Sequence, residues 1–306
     1  QWPAPIQVSS YGLGFVAIPV VVADNAGGCF IGFNSGTPGA PSINDAFIQR
    51  INPAGAPLFG ADGMELCGIA GNHKFVQNMF FNYTNNTLYT VLKVTDSGQN
   101  GAGVYAQAVD LTGNLMFTVN GLEIAAISTV SPCEAFTIDD AGNGCVVTYS
   151  EGGFNSQTIK AHKLNYTGTL IFNNPIVLSD ANSGKSRLTS NSMQGGNQLV
   201  ISWEDTRINQ GIYAQNMNND GSLGIITGLN NETVFNSEKI SFMLNNQINL
   251  IGLDNAELTI RNALGQVIMT QHIHTGINDL NNLEHASGLF LYQVSSGNKV
   301  FNGKLI

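Results

Sequence analysis

The stretch IYAQNMNNDG (212–221) decides the fold, because the chain contains it in four variants. AFIQRINPAG (46–55), VYAQAVDLTG (104–113) and IKAHKLNYTG (159–168) align with it without gaps. Each ends in glycine, at Gly55, Gly113, Gly168 and Gly221, so the spacings are 58, 55 and 53 residues. Each has Asn or Asp three residues before that glycine: Asn52, Asp110, Asn165 and Asn218. The fourth position is Gln49, Gln107 or Gln215 in three copies and His162 in the other. Alternation makes a strand, and the Asn/Asp with the glycine closes a tight turn, where glycine takes positive φ at little cost.

Upstream of each copy lies a second hairpin, with turns NAGG (25–28), TNNT (84–87), AGNG (141–144) and QGGN (194–197). A fourth strand follows the glycine in most units, as in LMFTVNGLEI and LIFNNPIVLSD. Each unit is therefore a meander of four strands, A to D, which is the blade of a small β-propeller. The last unit has no convincing D strand. PIQVSS (5–10) matches PIVLSD (175–180), the D strand of the third unit, so residues 1–10 are expected to complete the last blade and close a ring of four. An open stack of sheets and an unrecognised fifth blade are the alternatives. The fourth unit contains WEDTRINQGIYAQ (203–215), which resembles the repeats of uncharacterised secreted bacterial propeller-like proteins. Asp205 and Arg207 are expected to pair or to bond the B–C turn, a structural role.

From about Ile240 the texture changes to short strands, with a turn at Asn262–Gly265. The expected organisation is a propeller-like repeat domain over 1–228, a linker over 229–239 and an antiparallel β-sandwich over 240–306. LTIRNALGQVIMTQ (258–271), the NDL…SGLFLYQV stretch (278–294) and GNKVFNGKLI (297–306) resemble the C-terminal sorting domain of type IX secretion cargo in Bacteroidetes. Asn262, Gly265, Gly288, Tyr292, Gly297 and Lys304, with the terminal Leu305 and Ile306, fall where that family's sorting signal lies. The resemblance implies export across the outer membrane to the medium or cell surface. It also implies partners: the type IX translocon, an outer-membrane β-barrel shuttle and a sortase-like peptidase, the last cutting within Leu229–Glu238.

Composition narrows the rest. Charged residues are 11% of the 306 and the net charge is −9, with no basic run, so nucleic-acid binding is not expected. No stretch approaches the roughly 20 apolar residues of a membrane helix. No Gly-x-Ser-x-Gly or His-Glu-x-x-His motif occurs. Gly184-Lys185-Ser186 reads as an inter-blade loop, His272 and His274 as exposed strand residues, and Asp24-Asn25 and Asp139-Asp140 as Asx-stabilised turns rather than calcium loops. No cofactor or metal site is read from the sequence. Of the four cysteines, Cys29 and Cys145 are expected as separate core residues; Cys67–Cys133 is the disulfide to expect if one exists. The long loops 32–45 and 95–103 both join strands B and C and so share a face. These points favour a non-catalytic module binding a glycan or protein through that face. The alternative is a secreted propeller enzyme acting on glycans, drawing on Asp45, Asp96, Glu151, Glu204 and Asp205.

Overall fold

The computed structural model describes residues 2, 4–12, 18–37, 40–172, 174–193, 198–224, 239–243, 247–253, 255–262, 264–280, 290–297 and 299–305. Among them there are strands and turns but no helix. The chain divides into two compact units, 1–224 and 225–306.

The first unit holds four antiparallel sheets. The first is a meander of β1 (Val20–Ala23), β2 (Cys29–Thr37), β3 (Ala40–Ile51) and β4 (Met64–Glu65). The second runs β5 (His73–Asn82), β6 (Thr87–Thr95), β7 (Ala102–Asp110) and β8 (Leu122–Ser128). The third runs β9 (Cys133–Asp140), β10 (Cys145–Glu151), β11 (Thr158–Leu164) and β12 (Ile176–Ser179). The fourth has three strands among the described residues: β13 (Lys185–Ser192), β14 (Gln198–Asp205) and β15 (Gly211–Asn218). Each opening strand, β5, β9 and β13, is laid on the preceding sheet. The apolar residues there merge into shared cores. Ala46 and Ile48 meet Val76 and Met79, Val104 and Ala106 meet Phe136 and Ile138, and Ile159 and Ala161 meet Leu199 and Ile201. Removing each such larger aliphatic side chain from water is worth roughly 1.5–3 kcal/mol. The sheets are thus held by one another, since a two-faced sheet cannot bury both faces alone.

The repeated turn has one construction. Asn52 Oδ1 accepts the N–H groups of Ala54 and Ala56, Asp110 Oδ1 those of Thr112 and Asn114, and Asn165 Oδ1 those of Thr167 and Thr169. Gly55, Gly113, Gly168 and Gly221 each donate N–H to the Asn or Asp three residues back, with φ between 84° and 91°. In the first two copies the repeated glutamine pins the chain beyond the turn, whereas Gln215 donates to Asn216 O. Gln49 accepts the N–H of Phe59 and donates to Gly60 O; Gln107 accepts that of Phe117 and donates to Thr118 O. At the third copy stands His162, whose buried Nδ1 has no partner among the described residues. Burial, with Lys160 nearby, lowers its readiness to take a proton, against a smaller opposing effect of Glu151.

Side chains also tie successive repeats. Arg50 Nη1 donates to Leu111 O at 2.8 Å, Tyr89 Oη to Tyr166 O at 3.1 Å, and Lys163 Nζ to Asn219 O at 2.9 Å. In each case the acceptor is the carbonyl just after the next unit's turn Asn or Asp.

The second unit has two sheets. One is β16 (Lys239–Met243), β17 (Gln247–Ile251) and β20 (Gly276–Asp279) in that order; the other is β19 (Val267–Ile273), β18 (Ala256–Asn262), β21 (Phe290–Ser296) and β22 (Lys299–Leu305). Ile248 and Leu250 from the first share a core with Leu258, Ile260, Ile273 and Val294 from the second.

Candidate functional site

Antiparallel meanders give the first unit two ends. One carries the A–B and C–D turns, packed with Asn, Asp and Gly. At the other, the B strands run out and the C strands begin. Among the described residues, seven of the eight ion pairs lie at this strand end; the exception, Arg50–Asp24, belongs to the turn end.

Between the first two sheets, Lys74 Nζ contacts both Asp45, on β3, and Glu65, on β4. Lys74 and Asp45 are buried, while the Glu65 side chain is 43% exposed. Burial would pull the Lys74 ammonium down; the hydrogen bonds to Asp45 and Glu65 outweigh it and hold it above its ordinary value. Beside it, His73 Nδ1 accepts the backbone N–H of Asn44 at 3.2 Å, which puts the ring proton on Nε2, toward Ser97 O at 3.2 Å. Further along the face, Lys93 holds Glu134, whose side chain is 50% exposed, and Lys160 holds Glu151.

At the third junction Asp205 is a hub with no exposed surface. It accepts from Ser183 Oγ at 2.7 Å, Trp203 Nε1 at 3.0 Å, and the N–H and Nε of Arg207 at 2.9 and 3.0 Å. Burial alone would raise this carboxyl; the donors, Arg207 foremost, hold it well below the carboxylate range. The Arg207 guanidinium lies 4.2 Å from the centre of the Tyr213 ring. Here the W-x-D-x-R motif is a lock on the B–C turn. Lys185 is equally enclosed, donating to Gln157 O at 2.6 Å and to Ser183 Oγ at 3.0 Å, so Gly184-Lys185-Ser186 has no free ammonium to offer a phosphate.

The carboxylates read from the sequence as an enzyme's resources are thus dispersed. Asp96 is spent on its own loop, accepting the N–H groups of Gly98, Asn100 and Gly101; Glu204 is held by Arg187. Glu151 and Glu204-Asp205 end strands β10 and β14 rather than lying in loops. Glu65, His73, Lys74 and Glu134 were not legible as site residues, because the sequence does not show which residue of one sheet faces the next. A shallow hollow at the turn end, lined by Lys163, Gln198, Met217 and Asn219 among others, holds no carboxylate.

Asp24 accepts from Ala26 and Gly28 N–H and binds Arg50; Asp140 accepts from Gly142 N–H, Asn82 and Tyr166. Both are consumed by protein donors. His272 and His274 are exposed. The Cys67–Cys133 disulfide is not formed: all four cysteines are free. Cys67 packs between the first two sheets and donates to Asn120 O at 3.0 Å, while Cys133 belongs to the core between the second and third. Burial raises both thiols, that of Cys133 to about 12.

In the second unit Asn262 and Gly265 rebuild the repeat turn, with Asn262 Oδ1 accepting from Leu264 and Gln266 and Gly265 at φ 83°. Tyr292 is half-buried and covers Gly303, where an added Cβ would meet its ring at 2.4 Å. Gly297, at φ 58°, turns β21 into β22, on which Lys304 and Leu305 pair with Leu291 and Phe290. Gly288, Ile306, the linker 229–238 and the turn 194–197 lie outside the described residues.

No protein-family model matches the chain, and no curated protein matches it. Among solved structures, an α-L-arabinanase of Penicillium chrysogenum complexed with arabinobiose is similar at 11% identity and TM-score 0.48, covering 97% of both chains. A thermostable family-43 glycoside hydrolase is similar at 13% and 0.44, over 72% of this chain and 77% of that one. An endo-1,5-α-L-arabinanase of Thermotoga petrophila RKU-1 is similar at 12% and 0.43, over 94% and 76%. The expectation of a non-enzymatic cargo whose first domain only binds is corrected at this point: these similar structures are glycan hydrolases. The glycan-acting alternative is the reading carried forward, on the chain's own residues.

Proposed function

We propose that residues 1–224 are a small propeller of four blades that acts on a glycan at its strand-end face. The observation that carries this is the gathering of seven of the eight ion pairs among the described residues at that face, with Asp45 and Glu65 on one lysine. Cleavage of a glycosidic bond needs carboxyl groups held near substrate in fixed charge surroundings. Glu65 is solvent-accessible and anchored by a buried ammonium, so it is the group placed to meet substrate. The test is incubation of the full chain with a panel of plant and bacterial polysaccharides, reading new reducing ends and unsaturated products. Glu65→Gln is expected to lower the rate by about 100-fold or more. Full activity in that variant, or no polysaccharide consumed by the parent, overturns the reading.

The second unit, in this proposal, is a β-sandwich sorting domain that takes the chain to the cell surface or medium through the type IX machinery. The order and spacing of its matching segments support this. Recovery of a large β-barrel and its shuttle from outer membranes by the full chain, and not by a chain ending at Phe235, is the expected result; equal recovery by both sinks it.

A further inference from the structure

The four sheets leave two apolar surfaces uncovered, at opposite ends of the series. The first residue of the repeat stretch is 0% exposed in three copies, as Ala46, Val104 and Ile159, because the next sheet covers it; in the last copy Ile212 is 72% exposed. Val21 pairs with Ile31 as Met79 pairs with Thr90 and Ile138 with Val147. Met79 and Ile138 are 6% and 2% exposed, pressed on the preceding sheet, whereas Val21 is 60% exposed. The trailing face of the last sheet thus lacks what the leading face of the first sheet would supply.

Trp2 and Ile6 explain which sheet belongs before the first. In later units the turn glycine is packed against the preceding unit's C–D segment: Gly113 on Phe59 and Met64, Gly168 on Phe117, Gly221 on Phe172 and Ile176. Gly55 is packed on Trp2 and Ile6, which have the same spacing as Phe172 and Ile176. The carbonyl after the turn residue, reached elsewhere by Arg50, Tyr89 and Lys163, is reached at Pro53 by Trp2 Nε1 at 3.1 Å. Trp2 and residues 4–10 therefore hold, against the first unit, the place of a preceding unit's last segment. Among the described residues β15 has a strand on one side only, and residues 4–12 are not in a strand.

We propose that the last sheet closes onto the first within one chain, with Ile212 brought against the Val21 face and residues 5–10 added to β15 as its fourth strand. The third sheet sets the register, through Lys160↔Val177 and Ala161↔Ile176. By equivalence, Tyr213 lies opposite Gln7 and Ala214 opposite Ile6. The segment is already seated on the first unit, so closure covers apolar surface and a strand edge while ordering few further residues.

This rests on the propeller reading, and its test does not use activity. In the full chain, Gln7→Cys with Tyr213→Cys should form an intramolecular disulfide under mild oxidation, at least about tenfold more than the out-of-register pair Gln7→Cys with Gln215→Cys. Ile6→Cys with Ala214→Cys is the second in-register pair, should the first not fold. Disulfide-linked dimers would overturn closure and assign the strand to a second copy. A folded monomer whose introduced thiols both label freely and never cross-link would overturn it as well, leaving the Glu65 proposal untouched.

Discussion

At the scale of the residue, His162 is the most instructive exception. The first two copies use a carboxamide there to accept a backbone N–H after the turn. An imidazole of nearly the same bulk keeps the packing but leaves Nδ1 buried and, among the described residues, unpartnered. His162→Gln is expected to stabilise the chain by about 1 kcal/mol in urea unfolding, by restoring the hydrogen bond that Gln49 and Gln107 make. The gain should grow with acidity. The folded pKa of His162 lies below its unfolded value of about 6.5, so its contribution is intact above that pH and is lost as pH falls through the folded value. A variant no more stable than the parent at pH 5 than at pH 8 would show that the site is already satisfied. The sequence did show His162 as the odd member; it could not show that its ring lies 6.3 Å from Tyr149, in a place closed to water.

At the scale of the element, the Asx-glycine turn occurs in both units, but its surroundings differ. Gly168, at φ 84°, has the Phe117 ring 2.7 Å from where a Cβ would stand; Gly265, at φ 83°, has nothing within 4 Å. Gly265→Ala should cost only the backbone term, about 1 kcal/mol, whereas Gly168→Ala should cost roughly 2–3 kcal/mol, because the neighbouring sheet must also give way. Paired thermal melts read this directly, and equal losses would mean the inter-unit contact is soft. The turn itself was legible from Asn, Asp and Gly at fixed offsets. The aromatic against it was not, since Phe117 and Gly168 come from different repeats. The same limit hid the site: Glu65 and Lys74 are unremarkable in the sequence until two sheets are laid together.

At the scale of the whole molecule, the carboxylates define an acid limit. Burial works against Asp24 and Asp110, yet hydrogen bonds hold both below their ordinary value, Asp110 at about 2; Asp205 is lower still. With folded values below the unfolded value of about 3.9, this stability is fully present above about pH 4 and is lost as pH falls towards 2. Asp139, raised by burial, works the other way and is outnumbered. Urea midpoints should be level above pH 5 and drop steeply below pH 4; a flat profile to pH 2.5 would mean that these groups keep the same partners when unfolded.

What the sequence determined by itself is what short-range chemistry encodes: strands from alternation, turns from Asn, Asp and Gly, and a repeat from their recurrence. These depend on residues within a few positions of one another, so they can be read along the chain. Tertiary structure alone decided which sheet faces each side chain. Only there does Cys67 meet Asn120 rather than Cys133, and Lys74 gather Asp45 with Glu65. Only there, too, does Trp2 reach the first repeat's turn. The physical reason is that contacts between repeats join residues at no fixed separation, from 9 positions for Lys74 and Glu65 to 53 for Cys67 and Asn120. Their energy comes from burial and desolvation, which have no period in the sequence.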